Sequence, residues 1–113
     1  MLEKVNLLQA ANSAGFKYLN IGQLNGHMLH VLQAENRTLE FHVHEHSDEL
    51  FYVIEGQFEI ELDDGLVHLA QGDLLIIPKG RRHRPIVNSR VKCLLAELDG
   101  TLDAENTGGA IRN

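Results

Sequence analysis

The amino-acid sequence predicts an all-β protein, a sandwich or barrel of about nine short strands preceded by a short N-terminal helical arm. Two observations support this prediction. Apolar and polar residues alternate over segments of roughly four to eight residues, as expected for strands that bury one face. Turn signals rich in glycine, proline, asparagine and aspartate separate these segments at intervals of about six to twelve residues, which is typical of sandwiches and barrels.

The first elements are a helical arm and a hairpin. The segment Asn6–Ala14 has helical character and stops at Gly15, a residue that suits a helix C-terminus. Tyr18–Leu24 and His27–Ala34 flank Asn25-Gly26, the strongest short hairpin signal in a sequence. We therefore expect a short arm that leans on a β-hairpin.

Seven further strands are predicted downstream, each bounded by turn residues. They are Thr38–His44, Glu49–Glu55, Gln57–Leu62, Val67–Leu69, Leu74–Ile77, His83–Val87 and Val91–Leu98. The continuous apolar run Leu74–Ile77 predicts a strand that is covered on both faces. The residues from Gly100 onward are rich in Gly, Asn and Thr and are predicted to be irregular. We expect one domain over residues 1–113, with a barrel over about 18–99 and a tail over 100–113.

Composition narrows the class of protein and of partners. The chain has 113 residues, a formal net charge of −6 and a single cysteine, Cys93. The negative charge argues against nucleic acid as a partner, because phosphate binding needs a basic face. One cysteine excludes an internal disulfide and fits a reducing compartment, and Cys93 is predicted to be inert core. No apolar run is long enough to span a membrane and no signal peptide is evident, so we expect a cytoplasmic protein.

Histidines on alternate residues mark the third predicted strand. In an extended chain His42 and His44 share a face about 6–7 Å apart, near enough to hold one ion between them. Glu49 follows a short polar turn and lies beside His44 if the next strand pairs antiparallel. His83 is a further candidate, whereas His46 falls in the turn and is predicted to be a surface or supporting group. Such donors suit Zn, Ni, Fe, Mn or Cu and not Ca or Mg; the alternative is a hydrogen-bonded polar cluster without metal.

Three more residues are candidates for the site. Glu40 shares the inward parity of the histidines, so a buried Glu40 carboxylate beside a metal is a candidate general base; the alternative is a carboxylate at the barrel rim in water. Phe51 shares the parity of Glu49 and is a pocket candidate. Arg82 belongs to a basic group around His83 and is a candidate for binding an anionic substrate. The alternative for this basic group is a solvated loop that pairs with Asp48 or with acidic residues of a dimer partner.

Two spaced motifs carry a family resemblance. They read His42-x-His44-x4-Glu49-x6-Gly56 and Gly72-x5-Pro78-x-Gly80-x2-His83. The pair resembles the two signature motifs of the cupin superfamily, although the asparagine that ends the second motif is replaced by Val87, with Asn88 one residue later. The rest of the chain resembles small single-domain cupins that are loosely related to mannose-6-phosphate isomerase and are mostly of unknown function.

The resemblance implies a fold, a cofactor and a partner. It implies an antiparallel jelly-roll β-barrel in which His42, His44, Glu49 and His83 ligate one divalent transition metal. It also implies a homodimer, often formed by exchange of edge strands. We expect an enzyme acting on a small polar or anionic molecule, with metal-dependent oxygenase (dioxygenase) or isomerase and lyase chemistry as the candidate types. The alternative is a non-catalytic module with the same barrel that binds or senses a small ligand.

Overall fold

The computed structural model describes residues 2–103, 107 and 111–112. Within these residues one helix, α1 (Leu7–Ala14), precedes the strands. The strands are β1 (Tyr18–Leu24), β2 (His27–Ala34), β3 (Arg37–Thr38), β4 (Glu49–Glu55), β5 (Gln57–Leu62), β6 (Gly65–Ala70), β7 (Leu74–Ile77), β8 (His83–Val87), β9 (Val91–Leu98) and β10 (Ile111–Arg112). Helices in the described part of the chain lack the length and apolar character needed to cross a membrane.

The strands form two sheets that pack face to face. One has the order β10-β1-β2-β9-β4-β7 and the other has the order β3-β8-β5-β6. Neighbouring strands are antiparallel except β1 and β10, which are parallel. Alternate residues of the strands point inward, so Phe51, Cys93 and Leu95 of the first sheet meet Phe58 and Ile60 of the second in one buried cluster. The predicted all-β jelly roll with an N-terminal helix is confirmed.

Two turns show why the sequence folds here as predicted. Asn25 and Gly26 have φ values of 51° and 82°, the left-handed conformation that a tight hairpin turn requires. Gly56, between β4 and β5, has a φ of 93°, and a Cβ at this position would lie 2.5 Å from the backbone oxygen of Arg90. A glycine is therefore required at position 56 because the Arg90 backbone leaves no room for a Cβ; Gly56 is not a metal ligand.

Helix α1 covers part of the outer face of the larger sheet. The side chain of Asn6 caps the helix by accepting a hydrogen bond from the Gln9 amide at 3.0 Å. Ala11 and Ala14 are buried against Val31 of β2. The predicted arm therefore exists as a packed helix, and burial of these small apolar residues holds it on the sheet.

The predicted strand Thr38–His44 is wrong in its extent. Only Arg37–Thr38 is regular strand, and His42 then forms an isolated bridge with His83. Thr38 pairs with Ile86, and His42 pairs with His83. Residues 39–41 therefore lie between the two pairs on the first segment, but only residues 84–85 lie between them on β8. The extra residue breaks the ladder at Pro85, which has no N–H to donate. Side-chain alternation is therefore not continuous between residues 38 and 42.

Two further predictions are corrected at the sheet edges. Leu74 and Ile76 are 55% and 54% exposed, so β7 is not covered on both faces. It is an edge strand, and its outer face lies beyond the part of the sheet that α1 covers. The tail after Gly100 is not wholly irregular, because Ile111–Arg112 pairs with the start of β1 and makes a tenth strand.

Candidate metal centre

Backbone hydrogen bonds join the two motif segments. The amide of His42 donates to the carbonyl of His83, and the amide of His83 donates to the carbonyl of His42, each at 3.0 Å. The Gly80 amide donates to the His44 carbonyl at 2.8 Å. Glu49 begins β4, directly after the turn that follows His44. Backbone hydrogen bonds alone therefore hold together two segments that lie about forty residues apart in the sequence.

The four predicted ligands meet inside one end of the barrel. Each of His42, His44, Glu49 and His83 offers a ligand atom, and these four atoms lie within 4.8 Å of one another. Glu49 is 2% exposed and His83 is fully buried, whereas His42 is half-buried. The ring centres of His42 and His83 are 4.5 Å apart. The cluster is thus a closed set of donors with one side, at His42, nearer to solvent.

Backbone carbonyls fix the tautomers of two imidazoles. Nδ1 of His42 lies 2.8 Å from the carbonyl oxygen of Glu40, and Nδ1 of His83 lies 2.9 Å from that of Arg81. A carbonyl oxygen only accepts, so each Nδ1 donates a proton to it, which leaves Nε2 as the ring atom that can bind a metal. Metal-ligating histidines are held in this way in other proteins.

The contacts of Glu49 test whether a metal ion fits. Its Oε1 lies 3.0 Å from Nε2 of His83 and 3.4 Å from Nε2 of His44. The second contact is an ion pair without hydrogen-bond geometry, and Nε2 of His44 has no hydrogen-bond partner within the described residues although it is buried. Buried polar atoms rarely stay unpaired. Three imidazole nitrogens and a carboxylate that converge in this way fit one divalent transition metal.

Electrostatics favours the protonation states that metal binding needs at Glu49 and His42, whereas at His44 it favours the proton that a metal would displace. Burial alone raises the pKa of Glu49, but the His44 and His83 imidazoles outweigh it and bring the pKa below its ordinary value. Burial lowers the pKa of His42, against the opposing effect of the Glu40 carbonyl. Burial also acts to lower the pKa of His44, but the Glu49 carboxylate reverses the shift and raises it. Glu49 is therefore ionised and His42 neutral near pH 7.

Glu40 lies outside the cluster. Its side chain is exposed, and only its backbone carbonyl contacts a ligand residue, His42. The structure shows the predicted alternative, a carboxylate at the rim in water. The inward parity expected for Glu40 is wrong, because the extra residue between Thr38 and His42 breaks the alternation of side chains. Glu40 is a carboxylate at the rim of the barrel, and its catalytic role stays a prediction.

The remaining candidates take different positions. Phe51 is buried, and its ring centre is 6.4 Å from that of His83, so it forms part of the apolar surface below the cluster. Arg82 is half-exposed, pairs with Asp63 at 2.7 Å and lies 4.0 Å over the ring of Phe41. The charge of Arg82 already has a partner in Asp63, and anion binding by Arg82 stays a prediction. His46 is exposed, as expected for a residue in the turn.

The neighbouring basic residues are also paired. Arg81 contacts Asp64 at 2.6 Å and Arg84 contacts Glu61 at 2.7 Å. Asp48 accepts from the backbone amide of Lys79 at 2.9 Å. The basic group is therefore a paired surface loop, as in the predicted alternative, but its arginines pair with the acidic β5–β6 hairpin and not with Asp48.

Sequence reasoning missed a second histidine–carboxylate contact in the barrel. Nδ1 of His30 lies 3.2 Å from Oε1 of Glu97, and both residues are buried. The sequence contains one signal for it, because Glu97 shares the inward parity of Cys93 and Leu95 on β9. Cys93 itself is buried as predicted, and burial raises the pKa of its thiol to about 12.

Comparisons with known proteins agree with this geometry. The sequence matches the Cupin_2 family, described as a cupin domain, over residues 28–97. It is similar to the uncharacterized protein YdbB of Bacillus subtilis, with 38% identity over 87 residues, 74% of this chain and 76% of YdbB. It is 29% identical over 65 residues to the tetracenomycin polyketide synthase protein TcmJ of Streptomyces glaucescens, which covers 58% of this chain and only 44% of TcmJ. A cupin-2 domain protein from Shewanella frigidimarina has a similar structure, with a TM-score of 0.70, 27% identity, and coverage of 74% of this chain and 81% of that one.

Proposed function

Because this chain belongs to the cupin family, we propose that it is a small metal-binding cupin and an enzyme that acts on a small polar or anionic molecule. The observation that carries the proposal is the convergence of four ligand atoms within 4.8 Å. Its ligands in this proposal are His42, His44, Glu49 and His83. The cofactor is one divalent transition metal, with Zn, Ni, Fe, Mn and Cu as the candidates.

The shape of the barrel interior limits where a substrate binds. A cavity of about 30 Å³ lies within the apolar core next to Phe51. This volume is about that of one water molecule, so this apolar part of the core has no room for a substrate. Solvent reaches the cluster from the side of the half-buried His42. We therefore place the substrate at the open end, with Phe51 closing the site from below.

The protein residues orient the donor atoms of the candidate centre. A bound divalent ion supplies Lewis-acid polarisation of a substrate oxygen. The carbonyls of Glu40 and Arg81 hold the rings of His42 and His83, so that both Nε2 atoms face the centre. Four protein ligands leave one or two coordination positions open, which oxygenase, isomerase and lyase reactions all require. Glu40, at the rim, remains the candidate for proton transfer to a substrate.

Similarity to TcmJ supports the enzyme proposal and suggests a substrate type. TcmJ is named for polyketide synthesis, although this chain spans only 44% of its length. Polyketides carry carbonyl and hydroxyl oxygens, which are ligands that a divalent metal accepts. An oxygen-rich small molecule is therefore our preferred substrate class.

Metal content is the direct test of the proposal. Protein purified without an affinity tag is analysed for bound metal, and its melting temperature is measured after addition of Zn, Ni, Mn or Fe(II). We expect bound metal or a rise in melting temperature, because a ligand that binds only the folded state stabilises it. His83→Ala should abolish the rise, whereas the control His46→Ala, an exposed histidine of the same motif segment, should keep it. A wild-type protein without bound metal and without a rise in melting temperature would refute the proposal.

The alternative is a non-catalytic module that binds or senses a small ligand. The same cluster supports it, because a metal can hold a ligand without turnover. Assays of product formation and O₂ uptake with small carbonyl, enediol and sugar-acid compounds separate the two functions. Saturable binding without product under every metal favours the module.

We also propose that the protein is a cytoplasmic homodimer. The larger sheet exposes apolar side chains of Leu24, Leu74 and Ile76 on its outer face, and β7 leaves a sheet edge unpaired within the described residues. A second copy is the natural cover for such a face and edge. Light scattering measures the mass of the wild type and of Ile76→Lys, and a monomeric wild type would refute the dimer.

A further inference from the structure

His30 and Glu97 form a second buried pair inside the barrel. The register of β2 and β9 pairs His30 with Leu95 and Met28 with Glu97, so both polar residues share the inward face. Nδ1 of His30 lies 3.2 Å from Oε1 of Glu97, and Glu97 is only 1% exposed. His30 thus partners one of the two carboxylate oxygens and holds the Glu97 side chain in place.

The other oxygen of Glu97 has no partner. Oε2 is buried, and no described residue makes a hydrogen bond to it. Most buried carboxylate oxygens are hydrogen-bonded, because an unpaired one loses its water without compensation. This oxygen therefore lacks a hydrogen-bond partner among the described residues, and a bound ligand is one group that would supply it.

Space for such a group adjoins the pair. His30 and Glu97 line a cavity of about 230 Å³, together with Leu98, Asp99 and Gly100. The volume corresponds to roughly seven or eight water molecules, enough for part of a small organic molecule. By contrast, the apolar cavity of about 30 Å³ deeper in the barrel has no comparable room.

The pair lies next to the metal centre. Leu50 pairs with Ala96 and Phe51 with Leu95 across β4 and β9. One further step in this register places the ligand Glu49 opposite Glu97. Directly opposed side chains on one face of a sheet have Cβ atoms about 5 Å apart. A molecule held by Glu97 is therefore beside the centre that Glu49 helps to form.

We propose that Glu97, held by His30, receives a hydroxyl group of a ligand whose carboxylate or carbonyl oxygen binds at the metal centre. The inference rests on the proposed function and adds the ligand class, a small hydroxylated acid or carbonyl compound. A hydroxyl fits Oε2 whether the carboxyl group is ionised or protonated, because a hydroxyl both donates and accepts. A ligand ammonium fits less well, because it would lie close to a divalent cation.

The test compares two probes that differ only in the hydroxyl group. Binding of 3-hydroxypropanoate and of propanoate to the metal-loaded protein is measured by calorimetry. We expect the wild type to prefer 3-hydroxypropanoate by about ten- to a hundredfold, because propanoate leaves Oε2 unpaired. Glu97→Met should abolish the preference, and Glu97→Gln, which keeps a hydrogen-bonding group of the same shape, should keep part of it. Equal affinities for the two probes in the wild type, or no binding of either, overturn the inference.

A matched control separates the carboxylate of Glu97 from general charge. Glu3 is exposed and does not line this cavity, so Glu3→Gln should leave the preference unchanged. A loss in Glu3→Gln equal to that in Glu97→Met would contradict the assignment. Metal content is measured in every sample. Wild-type protein that takes up no metal refutes the proposed function, whereas metal-loaded protein without the preference refutes only the present inference.

Discussion

The barrel holds two groups of histidine and glutamate side chains, and they are assembled in different ways. The candidate metal centre takes its four donor residues from two motif segments joined by backbone hydrogen bonds. The His30–Glu97 pair joins two residues 67 positions apart on neighbouring strands, and no local motif marks it. The difference shows that a site within short loops appears as residue spacing, whereas a site made by strand pairing appears only once the register is known.

The two groups also differ in what satisfies their polar atoms. In the candidate metal centre, carbonyls two residues upstream hold Nδ1 of His42 and of His83, and Nε2 of His83 and of His44 lie 3.0 and 3.4 Å from Glu49. In the second pair, His30 holds one oxygen of Glu97, and the other oxygen has no partner among the described residues. The first group is therefore a set of converging donor atoms, whereas the second keeps one buried acceptor oxygen unsatisfied.

The largest expected effect comes from exchanging one carboxylate for an amide in each group. Glu49→Gln should weaken metal binding by more than about a hundredfold, because it removes the charged ligand of the centre. Glu97→Gln should weaken it by less than about tenfold, because Glu97 lies beside the ligands and not among them. Metal titration by calorimetry measures both. Equal losses in the two variants would break the comparison and make Glu97 a ligand.

Gly56 tests whether every motif position belongs to the chemistry. Gly56→Ala places a Cβ 2.5 Å from the Arg90 backbone oxygen at a φ of 93°, so the free energy of unfolding should fall by about 3 kcal/mol. Gly22→Ala is the control, since its nearest neighbour is a Leu29 methyl group at 3.9 Å, and it should cost less than about 1 kcal/mol. Urea unfolding measures both. A small loss in Gly56→Ala combined with lost metal binding would show that the glycine serves the centre directly.

The His30–Glu97 pair should behave as a coupled unit. His30→Leu leaves Glu97 buried without a partner and should cost about 2–3 kcal/mol of unfolding free energy. Glu97→Leu should cost a similar amount, and the double variant should cost less than the sum by about 1–2 kcal/mol. Urea unfolding of the four proteins completes the cycle. Additive losses would mean that the contact at 3.2 Å carries no coupling.

The fold and the metal centre could largely be predicted from the sequence. Alternation and turn residues gave correct bounds for most strands, because a half-buried strand between tight turns has few alternatives. The motif spacing brought together the four ligand residues that meet in the structure. These signals are local, and the physical constraints behind them are local too.

The errors share one cause, which is dependence on the position of a neighbouring strand. Glu40 was expected to share the inward parity of His42 and His44, but the irregular ladder between Thr38 and His42 leaves its side chain exposed. Leu74–Ile77 has the composition of a covered strand, yet it lies at a sheet edge. Glu97 becomes notable only when its register relative to β4 is known. Sequence patterns report the environment of a residue along its own strand and not across the sheet.

The smallest expected effect concerns the basic group beside the centre, which is a third set of charges and lies on the surface. Arg82 is half-exposed, pairs with Asp63 and stacks on Phe41, so Arg82→Gln should lower the free energy of unfolding by less than about 1 kcal/mol. Arg81→Gln, which removes the neighbouring exposed pair with Asp64, is the matched control and should have a similarly small effect. Urea unfolding at low and high salt measures both, and salt should reduce the difference from the wild type. A loss above about 2 kcal/mol in Arg82→Gln alone would show that the Arg82–Phe41 contact is part of the framework of the centre.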